Sequence, residues 1–223
     1  MLAGQKLNTD DGIQVLLFPL EYMNISQDEG GSTSHQGSLN IDFLGWGANG
    51  RIYNCPYYAP CDCTCVYQST SGAYNIWQSD NKVYLVDGTT DYVSIMVIHD
   101  NNLPALGSKC KQGDILGHTG TGGHATGDHV HLNVGRGTYH GQEKTPQGVW
   151  QLKDSLHIYN AMFVNDTVII DGRNHPWKIF EGGVIPPTPT PTEKRKKRFP
   201  WVLYANKLWK RSSCWLFSSF IIE

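Results

Sequence analysis

The apolar residues of this chain come in short runs, and almost every run is closed by Gly, Asn, Asp or Ser. "CTCVYQS" (Cys63–Ser69), "YNIWQS" (Tyr74–Ser79), "KVYLVDG" (Lys82–Gly88) and "DYVSIMVIHD" (Asp91–Asp100) follow one another in this way, and "DHVHLNVGRG" (Asp128–Gly137) repeats the pattern beyond a glycine-rich stretch. Runs this short, rich in Val, Ile, Tyr and Trp, cannot bury a helical face but suffice for a strand. Their repetition between turns predicts a mainly β domain on an antiparallel sheet, with long loops and few short helices. The 223 residues, 24 of them glycine, leave room for one such domain and an appendage. Further strands are expected in "IQVLLF" (13–18), "LNIDF" (39–43) and "RIYNC" (51–55). The stretch "NISQDEGGSTSHQGS" (24–38) reads as loop, and Leu156–Phe163 as a short helix, because Leu156, Tyr159 and Phe163 fall at helical spacing.

A boundary follows at "GGVIPPTPTPTEKRKKRFPW". Alternating Pro and Thr favour an extended polyproline II spacer, and five of the next six residues are basic. Residues 1–183 therefore read as the main domain, 184–198 as a linker and 199–223 as an aromatic, basic tail: a disordered end, a surface-seeking segment or the start of a further module. Val184–Glu223 hold eight Lys/Arg against two Asp/Glu, which leaves ten basic against eighteen acidic residues in the main domain. That negative balance argues against nucleic acid as its partner. The positive tail suits an anionic polymer or a membrane surface. At the N-terminus, Ile13–Leu20 is interrupted by Gln14 and Pro19 and follows two aspartates, a poor secretory signal. A protein of this sequence acting outside a cell is expected to leave by another route.

Five cysteines fall in the main domain (Cys55, Cys61, Cys63, Cys65, Cys110) and Cys214 in the tail. The C-x-C-x-C run lacks the C-x2-C spacing of a structural zinc site. In a strand Cys61, Cys63 and Cys65 share a face. Three readings stay open: one or two disulfides involving Cys55 or Cys110, unpaired small apolar side chains, or a metal site.

The histidines carry the chemistry. In "DHVH", His129 and His131 stand at i and i+2, so an extended strand sets both imidazoles on one face and turns Val130 and Leu132 to the other. Nine histidines will make such a pair by chance, but others add context. A catalytic zinc takes three ligands from His and Asp/Glu and keeps a fourth position for water. "SHQGSLNIDF" offers His35 and Asp42, and the apolar strand "VSIMVI" ends on His99. His118 and His124 lie in the glycine loop near this set. His140, His157 and His175 read as surface or satisfied residues.

In order, H-(x)6-D, a strand ending in His, and "GDILGHTGTGGHATGDHVHLNV" resemble the lysostaphin/LytM-type zinc metallopeptidases. "YYAPCDCTCVY" is similar to the V-x-A-P-x-D-G-x-V segment of that family, and the resemblance runs from about Gly30 to Gly135. It implies a peptidoglycan endopeptidase with one Zn²⁺ on His35, Asp42 and His131, and with His99 and His129 as the catalytic pair that does not bind the metal. It also implies a phage setting: an endolysin held in the host cytoplasm before lysis, or a virion-associated lysin acting from outside on the cell wall. Three departures stand out. Cys63 replaces the turn glycine, so that turn must differ or carry strain. Asp128 stands where proline is common. No tyrosine shortly precedes His35, and Tyr22 is too distant. Two other functions compete: a peptidoglycan-binding module of the same fold without its metal, and a zinc phosphoester hydrolase using the same His/Asp set.

Overall fold

In the computed structural model, which describes residues 1–182, the strand-and-turn pattern becomes a nine-stranded sheet. The linker 184–198 and the tail 199–223 lie outside the described residues. The strands are β1 (Tyr22–Gln27), β2 (Ile41–Phe43), β3 (Cys63–Ser69), β4 (Tyr74–Ser79), β5 (Val93–Ile98), β6 (Lys109–Cys110), β7 (Val130–Arg136), β8 (Ser155–Leu156) and β9 (Val168–Asp171). Their spatial order is β6-β3-β4-β5-β7-β2-β1-β9, with β8 paired to β7. Pairing is antiparallel except between β1 and β9, where Tyr22 lies beside Val168 in a parallel register. The fold is mainly β, as expected, and no described helix is long and apolar enough to cross a membrane.

Strand alternation sorts the side chains. Val93, Ile95, Val97, Val130, Leu132 and Val134 enter the main core with Ile41, Phe43 and Trp77. On the opposite face Ile76, Met96 and Leu152 form a smaller apolar cluster against Tyr74, Ile98 and Tyr139. Asp42 and His131 fall on this second face, because each stands between two core residues of its own strand.

Several expectations need correction. "IQVLLF" forms no ladder: Leu16 donates its amide to Tyr84, Leu17 to Pro60 and Phe18 to Phe163, so the segment is a buried thread tied to three separate neighbours. Conversely, the residues opening the loop expected at 24–38 belong to β1, where buried Met23 and Ile25 alternate with more exposed neighbours. "RIYNC" contributes only Arg51, opposite Trp46 in a two-residue ladder, before turning through Asn54 at φ 52°. The helix shrinks to one turn, Ile158–Ala161 (α1). Leu156 belongs to β8, and Met162 returns to extended backbone before Phe163 bridges to Leu17.

The five described cysteines are free. Cys61, Cys63 and Cys65 are buried in the main core and Cys110 packs against it, so they serve as small apolar side chains. Burial pushes the Cys61 and Cys63 thiols up. The turn at Cys63 differs from the glycine pattern: Cys63 opens β3 and does not appear among the residues at positive φ.

Candidate metal centre

Register builds this site. His131 lies directly opposite Asp42 on β2 and opposite Ile98 on β5, which brings His99, one residue beyond, to the same end of the sheet. His129 enters just before β7, held by a bridge to Gly120. His35 arrives on a single 3₁₀ turn, Thr33–His35, and is fully buried. The five side chains singled out from the sequence thus stand together, from four separate stretches of chain.

His35, Asp42 and His131 converge most tightly. His35 Nε2 is 3.2 Å from Asp42 Oδ1 and 3.2 Å from His131 Nδ1, and His131 Nδ1 is 2.9 Å from Asp42 Oδ1. A tetrahedral zinc with bonds of about 2.0–2.1 Å separates its ligand atoms by roughly 3.3 Å, so the triangle matches. His35 Nδ1 donates to the Asp28 carbonyl at 3.0 Å, which leaves Nε2 carrying the lone pair toward the triangle. Asp42 Oδ1 is buried without a hydrogen bond although two ring nitrogens flank it. An orphaned carboxylate oxygen among imidazole nitrogens is what a divalent cation satisfies, so the residues fit the metal.

Burial alone would raise the Asp42 pKa, but the neighbouring His131 and His35 imidazoles hold it well below the usual carboxylate range. Burial lowers the His131 pKa against the pull of Asp42. Both shifts favour the unprotonated, ligating forms at neutral pH.

His99 and His129 sit against this triangle, their rings 4.4 Å apart. Each donates Nδ1–H to a backbone carbonyl at 2.7 Å, His99 to Gly122 and His129 to Gly127. Both tautomers are thereby set with Nε2 free to accept a proton. His129 Nε2 is 3.5 Å from Asp42 Oδ2. Burial lowers the His99 pKa to about 4. His99 also adopts φ 83°, a strained backbone for a residue with a Cβ, at the point where the chain leaves β5. Its carbonyl accepts from Gly122 N and presses on Gly120, where a Cβ would overlap the oxygen. Close approach explains the glycine at 120.

Asp128 is tied down through both its side chain and its backbone. Its carboxylate accepts from Thr119 Oγ1 at 2.6 Å and Asn54 N at 3.0 Å, and Arg51 bonds its carbonyl oxygen.

A cleft of about 850 Å³ opens over the site. One wall carries Tyr74, Met96, Ile98, Gln142, Val149 and Trp150. Sequence reasoning missed this wall, which has no motif: Gln142 and Trp150 come from a hairpin pairing Gln142–Lys144 with Trp150–Leu152. Tyr74 bonds Gln142 Oε1 through its hydroxyl at 3.1 Å, and burial with Tyr67 nearby pushes its pKa up to about 12. Of the glycine-loop histidines, His124 lines the cleft, whereas His118 gives its amide to Asp100 and does not.

No family model matches the sequence. Over 169 residues the chain is 46% identical to "Morphogenesis protein 1" of Bacillus phage B103, an alignment covering 75% of this chain and 45% of that protein. The chain therefore spans a little under half the length of this relative. Among solved structures it is similar to the catalytic domain of the prophage-encoded M23 protein EnpA from Enterococcus faecalis, at 21% identity and a TM-score of 0.36, covering 57% of this chain and 86% of that one. It is also similar to the catalytic domain of the antimicrobial peptidase lysostaphin from Staphylococcus simulans, at 19% identity and a TM-score of 0.32, covering 55% and 80%.

Proposed function

We propose that this chain is a phage-encoded zinc endopeptidase that hydrolyses peptide stems or cross-bridges of bacterial peptidoglycan. The observation that carries this reading is the 2.9–3.2 Å triangle of His35 Nε2, Asp42 Oδ1 and His131 Nδ1, backed by two histidines whose tautomers are set by backbone carbonyls. His35, Asp42 and His131 would hold one Zn²⁺, which when bound polarises a scissile carbonyl and acidifies a water. His99 and His129 take the proton from the attacking water and return it to the leaving amine. Their Nδ1–H groups are already spent, so each acts through Nε2. The low pKa of His99 keeps it neutral and able to accept well below pH 7. The cleft above them admits an extended peptide beside the Tyr74–Gln142 pair.

Residues 1–183 form the catalytic domain in this reading, 184–198 a linker, and 199–223 a tail that draws the protein to anionic wall polymer or a membrane surface. The resemblance to a morphogenesis protein of a Bacillus phage supports a virion-associated protein that meets the wall from outside. The test is metal content together with wall lysis. One equivalent of zinc, with release of new amino termini from purified walls that stops on chelation and resumes with zinc, is the expected result. A protein that binds walls without metal or cleavage would overturn it.

A further inference from the structure

We infer that the stack of His157, Tyr159 and His175 is a positioning device for the metal centre, gripping Asp28 and Glu29 so that the Asp28 carbonyl holds His35 in place. The inference rests on the zinc reading above and extends it to a part of the chain far from the ligands. The Tyr159 ring lies between His157, at 5.0 Å and 28°, and His175, at 4.4 Å and 13°, with the Trp177 edge at 5.9 Å. Each imidazole meets one of two adjacent carboxylates. His157 Nδ1 is 2.7 Å from Glu29 Oε1, which also accepts from the Tyr159 hydroxyl at 3.1 Å. His175 Nε2 lies 2.8 and 3.1 Å from the two oxygens of Asp28.

These bonds matter because of what joins Asp28 to His35. The intervening "EGGSTS" has two glycines and no large apolar side chain to anchor it, and Gly30 sits at φ 64°. Among the described residues, the Asp28 and Glu29 carboxylates find no side-chain partner except His157, Tyr159 and His175. Asp28 faces two ways: its carboxylate is fixed by His175, and its carbonyl accepts His35 Nδ1–H. Moving residue 28 moves the acceptor that decides which nitrogen His35 presents. Outer partners of this kind tune metal affinity by about 10–100-fold when removed. The acidic pair and the stack are thus positioning residues, none of which lines the cleft over the metal site.

The test uses the full chain, with zinc affinity measured by competition with a chromophoric chelator, the absorption spectrum of the cobalt-substituted protein, and metal-free melting as a folding control. His175→Ala is expected to weaken zinc binding by about tenfold or more and to shift the cobalt bands at temperatures where the protein is folded. His175→Gln, which keeps an N–H donor near the Nε2 position, is expected to recover most of the affinity. If His175→Ala does not fold, Tyr159→Phe carries the test, with a several-fold loss expected. Parent-like affinity and cobalt spectrum in the folded variant would overturn the inference while leaving the zinc reading intact. Failure of the parent itself to bind zinc would overturn both.

Discussion

Asp42 and His131 stand directly opposite one another on adjacent antiparallel strands, with His131 Nδ1 2.9 Å from Asp42 Oδ1. Because strand register sets this pair, two of the three proposed ligands come ready-placed by the sheet. Only His35 depends on a loop.

The proposed division between ligands and proton carriers predicts two classes of variant. His131→Ala and Asp42→Ala should lose zinc and activity together. His99→Ala and His129→Ala should keep zinc and lose about 10²–10⁴-fold in turnover. Metal analysis beside wall digestion separates the classes, and full activity in His129→Ala would refute its role.

Gly120→Ala should damage the site through backbone alone. The added methyl overlaps the His99 carbonyl oxygen, in a loop that also presses on Asn101, so either the loop or His99 must move. A stability loss of about 1–3 kcal/mol is expected from such overpacking, along with reduced turnover. Denaturant unfolding and kinetics on the same sample check it.

Asp128→Ala should cost about 2–3 kcal/mol, because it removes a buried acceptor and leaves the Thr119 hydroxyl proton and the Asn54 amide without an acceptor. The histidines next in sequence should lose their order too. Broadened imidazole resonances of His129 in NMR spectra would report this, and an unchanged spectrum would count against Asp128 as the anchor of this segment.

Asp62 predicts an acid-dependent loss of stability remote from the proposed metal site. Burial tends to raise its pKa, but Lys111, the Gln112 amide and Gln14 overcome this and lower it. With the folded pKa below the unfolded value of about 3.9, its stabilising effect is present above that pH and fades as pH falls through the folded value. Asp62→Asn should therefore melt earlier at pH 7 and show a flatter acid limb. Melting curves from pH 2.5 to 7 test this.

How much of this was legible in the sequence follows the range of the forces involved. β3 and β4 were readable to the residue because each is a β-rich run closed by its own turn. Val15–Phe18 misled because its burial comes from three distant segments, which no local pattern reports. The single turn of α1 misled for the opposite reason: Leu156 and Phe163 keep helical spacing but answer to β8 and Leu17. At the site, spacing picked out the two histidines of "DHVH", donor chemistry and an apolar strand ending on an imidazole set His35, Asp42 and His99 beside them, and the family resemblance assigned the roles. The groove wall and the Tyr159 stack stayed hidden because Gln142, Trp150, His157 and His175 acquire meaning only through partners up to 147 residues away.

The parallel pairing of β1 with β9 sets how far this domain can be trimmed. The stretch that resembles known peptidases ends near Gly135, yet the strand beside β2 is itself flanked by Val168–Asp171. A fragment cut after Arg136 would keep every proposed ligand and lose β8 and β9 from the sheet that carries them. A minimal version that keeps the whole sheet has to extend past residue 171, so its length is set by the β9 edge and exceeds the span of the recognisable motif.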